Sequence, residues 1–247
     1  MRLTRVHVPG PLRAGATLEL GARAGQHLVR VLRLGRGAPL AVFDGTGHEH
    51  AATISAIRDA RVEVVLGEAL APAAESPLAV TLAQGVSRGE RMDYAIQKAT
   101  ELGVARIVPL LCERSVVRLD AAQAARKLEH WQGIAAGAAE QSGRAVVPAV
   151  EAPRRYLDHL GALPAPAAGG ARLVLAPRAA DGPSALPAGL ARIELLIGPE
   201  GGLSDAELGA AALRGYAPLR LGPRVLRTET AAAAAIAVLQ ARYGDLG

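Results

Sequence analysis

The chain has 247 residues, half of them apolar, which is enough for one large or two modest domains with a packed core. One cysteine, Cys112, excludes an internal disulfide or a multi-cysteine zinc site. No apolar run reaches the ~18 residues of a membrane span, and Met1-Arg2-Leu3-Thr4-Arg5 lacks the apolar core of a signal peptide, so a cytoplasmic protein without a membrane partner is expected. The net charge is +5, and only Lys98 and Lys127 among the 28 basic residues are lysine. Arg2, Arg5, Arg13, Arg23, Arg30, Arg33 and Arg36 face one acid, Glu19, in the first 36 residues, the local excess a polyanion-binding surface requires. Aromatics make up 2% of the chain, so contact through phosphates and folded shape is expected rather than bases stacked on rings.

From the start to about Ala71 the pattern is short alternating runs, Arg5 to Val8, Thr17 to Leu20, Leu40 to Phe43, Ala51 to Ile57 and Val62 to Leu66, which predict strands of a small barrel or sandwich. Between them Gln26 to Leu34 predicts one short helix with Leu28, Val31 and Leu32 on its inner face, Arg30 and Arg33 opposite, and Gly35 as its stop. Asp44-Gly45 marks a hairpin turn. His48-Glu49-His50 places two imidazoles at strand spacing without a third ligand, so no metal is assigned. Ala69 to Pro77 has linker composition and sets a boundary between a domain of residues 1–72 and one of 73–247.

Beyond the linker, strands alternate with helices, as in a mostly parallel α/β sheet. Leu78 to Val86 is a strand, and the helix after Ser87-Arg88-Gly89 buries Met92, Ala95, Ile96, Ala99 and Leu102. Ile107 to Leu111 follows, then a long helix capped by Asp120 and Gln123, ending in the polar run Glu140-Gln141-Ser142-Gly143-Arg144. Ala145 to Val150 is a strand, Arg155 to Leu160 a brief helix, and Leu173 to Ala176 and Ile193 to Ile197 are strands. Gly198-Pro199 cuts off the last of these, and Ser204 with Glu207 forms a capping box flanked by the staple Leu203 and Leu208. Leu219 to Leu221 runs into a second glycine-proline turn, Gly222-Pro223, before a helix from Thr228 to about Tyr243. Two such turns at the ends of neighbouring strands could share one pocket, where open α/β sheets place ligands. The spacing lacks Gly-x-Gly-x-x-Gly and Gly-Lys-Ser/Thr, which disfavours a dinucleotide or triphosphate cradle.

Five blocks in order, Ser87-Arg88-Gly89-Glu90-Arg91-Met92, Ile96-Gln97-Lys98 with Glu101-Leu102-Gly103, Glu140 to Arg144, Leu196-Ile197-Gly198-Pro199-Glu200-Gly201-Gly202-Leu203-Ser204, and Leu221-Gly222-Pro223-Arg224-Val225-Leu226-Arg227-Thr228-Glu229-Thr230-Ala231, together resemble the ribosomal RNA small subunit methyltransferase E family. The resemblance implies an N-terminal PUA-like β-barrel for RNA and a SPOUT-class α/β domain with a deep trefoil knot. It also implies a homodimer that uses S-adenosylmethionine to methylate N3 of one uridine of 16S rRNA in the small ribosomal subunit.

On that resemblance Leu175, Ile197, Gly198, Glu200, Gly201, Leu221, Leu226 and Thr228 are the expected donor-binding residues. Methyl transfer to uridine N3 needs alignment, removal of a weakly acidic proton and compensation of charge on the flanking carbonyl oxygens. Arg144 or Arg227 suits the last task, and Glu140 or Glu229 either takes the proton or holds the arginine. Arg2, Arg5, Arg30 and Arg33, with Arg88 at the junction, are the expected RNA contacts, ahead of Arg13, Arg23 and Arg36. A knotted ribose 2′-O-methyltransferase and a non-catalytic RNA-binding assembly factor are the alternatives at this point.

Overall fold

A computed structural model describes residues 3–58, 61–71, 73–165 and 168–247. The chain divides into two compact units, Met1–Glu75 with Ala136–Val147, and Ser76–Ala135 with Pro148–Gly247. The expected linker stretch does not stay a linker throughout, because Ala69 and Leu70 end a long strand.

In the first unit β1 (Arg5–His7), β2 (Thr17–Leu20), β3 (Pro39–Phe43), β4 (Glu49–Arg58) and β5 (Arg61–Leu70) form one mixed sheet in the order β1-β3-β4-β5-β2. Only β1 and β3 run parallel, and β1 and β2 are the edges. Alternation puts Val6, Leu20, Leu40, Val42, Ile54, Val62, Val64 and Leu66 into one core. At the Asp44 turn the carboxylate accepts the amide of Thr46 at 2.7 Å and that of His48 at 3.2 Å. Burial alone would raise its pKa, but these bonds and those from the Thr46 hydroxyl and His48 ring outweigh burial and hold it at about 2.

The expected helix over 26–34 is displaced and wound differently. Helix α1 (Ala22–Gln26) passes into a π-helical turn over His27–Val31, with Leu32 N–H bonding His27 O at 3.0 Å. The wider winding keeps Leu28 buried but swings Val31 and Leu32 outward, to 64% and 40% exposure. Arg33, at φ 53°, stops the helix before Gly35, in a left-handed conformation more usual for glycine.

The second unit holds a seven-stranded parallel sheet. Its elements are β6 (Ala79–Gly85), α2 (Glu90–Glu101), β7 (Arg106–Leu111), most of α3 (Ala121–Ser142), β8 (Ala149–Val150), β9 (Arg154–Arg155), α4 (Tyr156–Ala162), β10 (Gly170–Leu175), β11 (Arg192–Ile197), α5 (Asp205–Leu213), β12 (Tyr216–Leu219) and α6 (Thr228–Tyr243). The order is β12-β10-β11-β6-β7-β8, with β9 also beside β7. Buried Leu82, Ile107, Leu195, Ile96, Ile236 and Leu239 fill the space between sheet and helices. Asp120 and Gln123 exchange capping bonds at the start of α3, and Ser204 and Glu207 do so at α5. Burial, with Glu207 nearby, pushes the Cys112 thiol up to about 12, as suits a small core residue rather than a nucleophile.

Two further strands differ from expectation. Ala145 to Val150 splits: Val146 bridges Gly45 and Thr46 in the first unit, where Phe43, Ala139 and Ala145 form a small core, and only Ala149–Val150 joins the parallel sheet. The strand expected at Leu219 to Leu221 lies earlier, over Tyr216–Leu219, because pairing with β10 ends at Leu175↔Leu219.

Candidate active site

Strands β12, β10 and β11 are neighbours and end side by side, so the loops after Leu219, Leu175 and Ile197 leave the sheet together. They enclose a cavity of about 840 Å³, within the range of small-molecule sites. Gly198-Pro199 and Gly222 both line it, so the two glycine-proline turns meet at one place. The wall is largely apolar, with Leu175, Ile197, Leu203, Leu208, Leu221 and Leu226. A Cβ at Gly198 would lie 2.9 Å from the Leu203 nitrogen, so only glycine permits this fold of the loop.

Of the expected donor-binding residues, Leu175, Ile197, Gly198, Glu200, Leu221, Leu226 and Thr228 line the cavity. Gly201 does not; its backbone packs on Arg114, and a Cβ there would come within 3.0 Å of the Arg114 Cβ. Glu200 accepts the Arg88 amide at 2.9 Å and the Arg91 guanidinium at 2.8 Å. Partial burial pushes its carboxyl up, but these partners hold it below the ordinary carboxylate range.

Arg227 and Glu229 also line the cavity. Arg227 is exposed, whereas Glu229 Oε2 is buried and has no hydrogen-bond partner among the described residues. Glu140 and Arg144 belong instead to the first unit and do not line this cavity. Glu140 Oε1 accepts the His7 amide at 2.8 Å, and Arg144 pairs with Glu75 at 2.6 Å. The polar end of α3 is thus engaged in packing the β1 region.

The expected RNA contacts separate likewise. Arg2 lies outside the described residues. Arg5 is corrected: its side chain is 7% exposed and grips Glu49 through Nε at 2.8 Å and Nη2 at 3.1 Å. Its Nη1 donates to the carbonyls of Ala139 at 3.1 Å and Arg144 at 3.0 Å, and the guanidinium lies 4.5 Å over the Phe43 ring. With four of its five donors engaged and one face covered by Phe43, it is a buried clamp, and a residue count could not distinguish this from a surface cation. Arg30 and Arg33 are exposed on the first unit, and Arg88 is exposed beside a shallow recess formed with Gly89, Glu90 and Arg91.

Sequence reasoning passed over Arg91, Arg114, Arg178 and Arg224, all of which line the cavity. Arg224 stood inside a quoted block, and the Pro177-Arg178 step after β10 was the available signal for the other end of the rim. The rim is therefore cationic above an apolar floor, an arrangement suited to a nucleoside in the cavity and phosphates at its mouth.

The chain is similar to known proteins along its length. Residues 74–240 match the RNA methyltransferase domain family and residues 20–67 the RNA methyltransferase PUA domain family. The ribosomal RNA small subunit methyltransferase E of Buchnera aphidicola subsp. Schizaphis graminum is 31% identical over 245 residues, covering 99% of this chain and 98% of the relative. That of Bacillus subtilis is 33% identical over 212 residues, covering 83% and 82%. A methyltransferase of Legionella pneumophila solved in complex with SAM superposes with a TM-score of 0.94 at 41% identity, over 100% of both chains. The Neisseria gonorrhoeae ribosomal RNA small subunit methyltransferase E bound to S-adenosyl methionine gives 0.90 at 36%, again over 100% of both chains. Fold and family matches together define an RNA methyltransferase with a parallel α/β domain and a PUA-type module. The chain belongs to the ribosomal RNA small subunit methyltransferase E family.

Proposed function

We propose that this protein uses S-adenosylmethionine to methylate N3 of a specific uridine of 16S rRNA in the small ribosomal subunit. The observation that carries this is the meeting of the two glycine-proline turns on one apolar cavity, in a chain of this family. The residues present fit the donor: glycine turns offer bare backbone to an adenine and ribose, the leucines cover the adenine faces, and the Glu200 carboxylate suits ribose hydroxyls. Leu175, Ile197, Gly198, Glu200, Leu221, Leu226 and Thr228 hold it, with Gly201 setting the shape of the loop from behind. When bound, the donor supplies an electrophilic methyl group on a sulfonium sulfur.

Glu229 is the proton acceptor for uridine N3. It lines the cavity, and one of its carboxylate oxygens has no hydrogen-bond partner among the described residues. Arg227, two residues away, exposed and without a charged partner among the described residues, offsets the negative charge that deprotonation spreads onto the neighbouring carbonyl oxygens. Arg178 and Arg224 on the rim, with Arg88, take the phosphates around the target, and Arg30 and Arg33 bind RNA on the PUA-type unit.

The chain leaves edge strand β12 and returns to α6, which packs on α2. On the way the Arg220 amide bonds the Asp181 carbonyl at 2.8 Å. These contacts support the trefoil knot that the SPOUT class implies, in which this return would pass through the connection between β10 and β11. Tyr94 on α2 and Val238 on α6, 46% and 38% exposed, give an apolar face for a second copy in a homodimer. The reaction takes place in the cytoplasm, where the ribosomal subunit is.

Mass spectrometry of rRNA nucleosides from a strain lacking the protein tests this reading. Loss of one 3-methyluridine, restored by the wild-type gene, is expected. Loss of a ribose methyl group, or of no mark, would overturn it.

A further inference from the structure

We infer that Gln84, which does not line the cavity, is a positioning residue that sets the donor site's two walls in register before anything binds. The inference rests on the reading of the cavity as the donor site. Gln84 is 1% exposed near the carboxyl end of the central strand β6. Its Nε2 donates to the Gly85 carbonyl at 3.1 Å and to Thr228 Oγ1 at 2.8 Å. Thr228 Oγ1 in turn donates to the Gly198 carbonyl at 2.7 Å.

The polarity of this chain is fixed from one end. A backbone carbonyl only accepts, so the Gly85 oxygen requires the Nε2 side of the amide to face it. The second N–H then requires the Thr228 oxygen to accept, and the Thr228 proton is left to point at Gly198. One amide thereby joins the end of β6, the first residue of α6 and the turn after β11. Gly85 lets the turn after β11 approach the end of β6, since a Cβ there would overlap the Pro199 nitrogen.

Thr228 and Gly198 line the cavity, and Arg227 and Glu229 flank Thr228, so the one amide governs both the donor loop and the segment carrying the reacting groups. Gln84 Oε1 is buried without a partner among the described residues, so the hydrogen bonds this amide makes are those of its nitrogen.

The test compares Gln84→Met, which keeps the length, and Gln84→Glu, which keeps the shape but cannot donate when ionised, with Thr228→Val and the Gln84→Met/Thr228→Val double variant. Calorimetry with S-adenosylmethionine measures affinity, and amide hydrogen exchange of the donor-free protein measures the order of residues 198–203 and 228–231. Each single variant should weaken donor binding about tenfold, the cost of stranding buried polar groups, and the double should be little worse than either single. Exchange in both segments should rise in Gln84→Met without donor. A Gln84→Met protein that binds like wild type and exchanges like wild type overturns the inference. If wild type itself fails to bind, the donor-site reading falls, and unchanged exchange in Gln84→Met would still overturn the positioning role separately.

Discussion

Arg5 shows what a composition argument cannot see. Its charge counted toward the basic excess at the amino terminus, yet its partner, Glu49, is only 8% exposed, and removing one member of a buried pair strands the other. Arg5→Ala should therefore lower unfolding stability by about 3 kcal/mol, read as the urea midpoint, while Arg30→Ala and Arg33→Ala, on exposed cations, should weaken RNA binding with little change in stability. If Arg5→Ala unfolds like wild type and only RNA affinity falls, the clamp is misassigned. Within the cavity, Glu229→Gln keeps the shape but cannot take a proton. Turnover should fall by about a hundredfold or more, with donor affinity nearly unchanged, and near-normal single-turnover rates would remove Glu229 as the base.

Elements were legible in proportion to how local their cause is. The capping boxes at Asp120 and Ser204 and the helix from Thr228 to Tyr243 sit where the sequence put them, because caps and periodicity act within one turn. The π-helical turn at His27–Val31 was not legible, since nothing in Leu28-Val31-Leu32 distinguishes one winding from another. The fate of Ala145 to Val147 was hidden for the opposite reason: its partners, Gly45 and Thr46, lie about a hundred residues earlier. Ser204→Ala should cost about 1 kcal/mol and loosen the α5 end that supports Leu208 in the cavity wall, measured as a lower melting temperature. The Asp44 turn gives a pH test. Its folded pKa is depressed to about 2, so its stabilisation is complete above the unfolded value of about 3.9 and is lost as pH falls from there through about 2. Asp44→Asn should remove that part of the acid sensitivity, seen in the pH dependence of the melting temperature.

For the whole molecule, alternation and the change to strand-helix rhythm revealed two architectures. The convergence of two turns twenty-four residues apart on one cavity follows from strand order, with β10 seated between β11 and β12. Gln84 escaped notice because a single glutamine at a strand end carries no motif; its role exists only once Thr228 and Gly198 are brought to it. RNA affinity should fall steeply with added salt, as counterion release at arginine-phosphate contacts requires, and a flat response would contradict phosphate-led recognition. The most direct measurement is a calorimetric titration of S-adenosylmethionine into the wild-type chain and into Leu226→Trp, which fills the cavity between the two turns. Binding of one donor per chain in the wild type, and none in a Leu226→Trp protein whose circular dichroism is unchanged, is the expected result. Equal binding by both proteins would place the donor elsewhere.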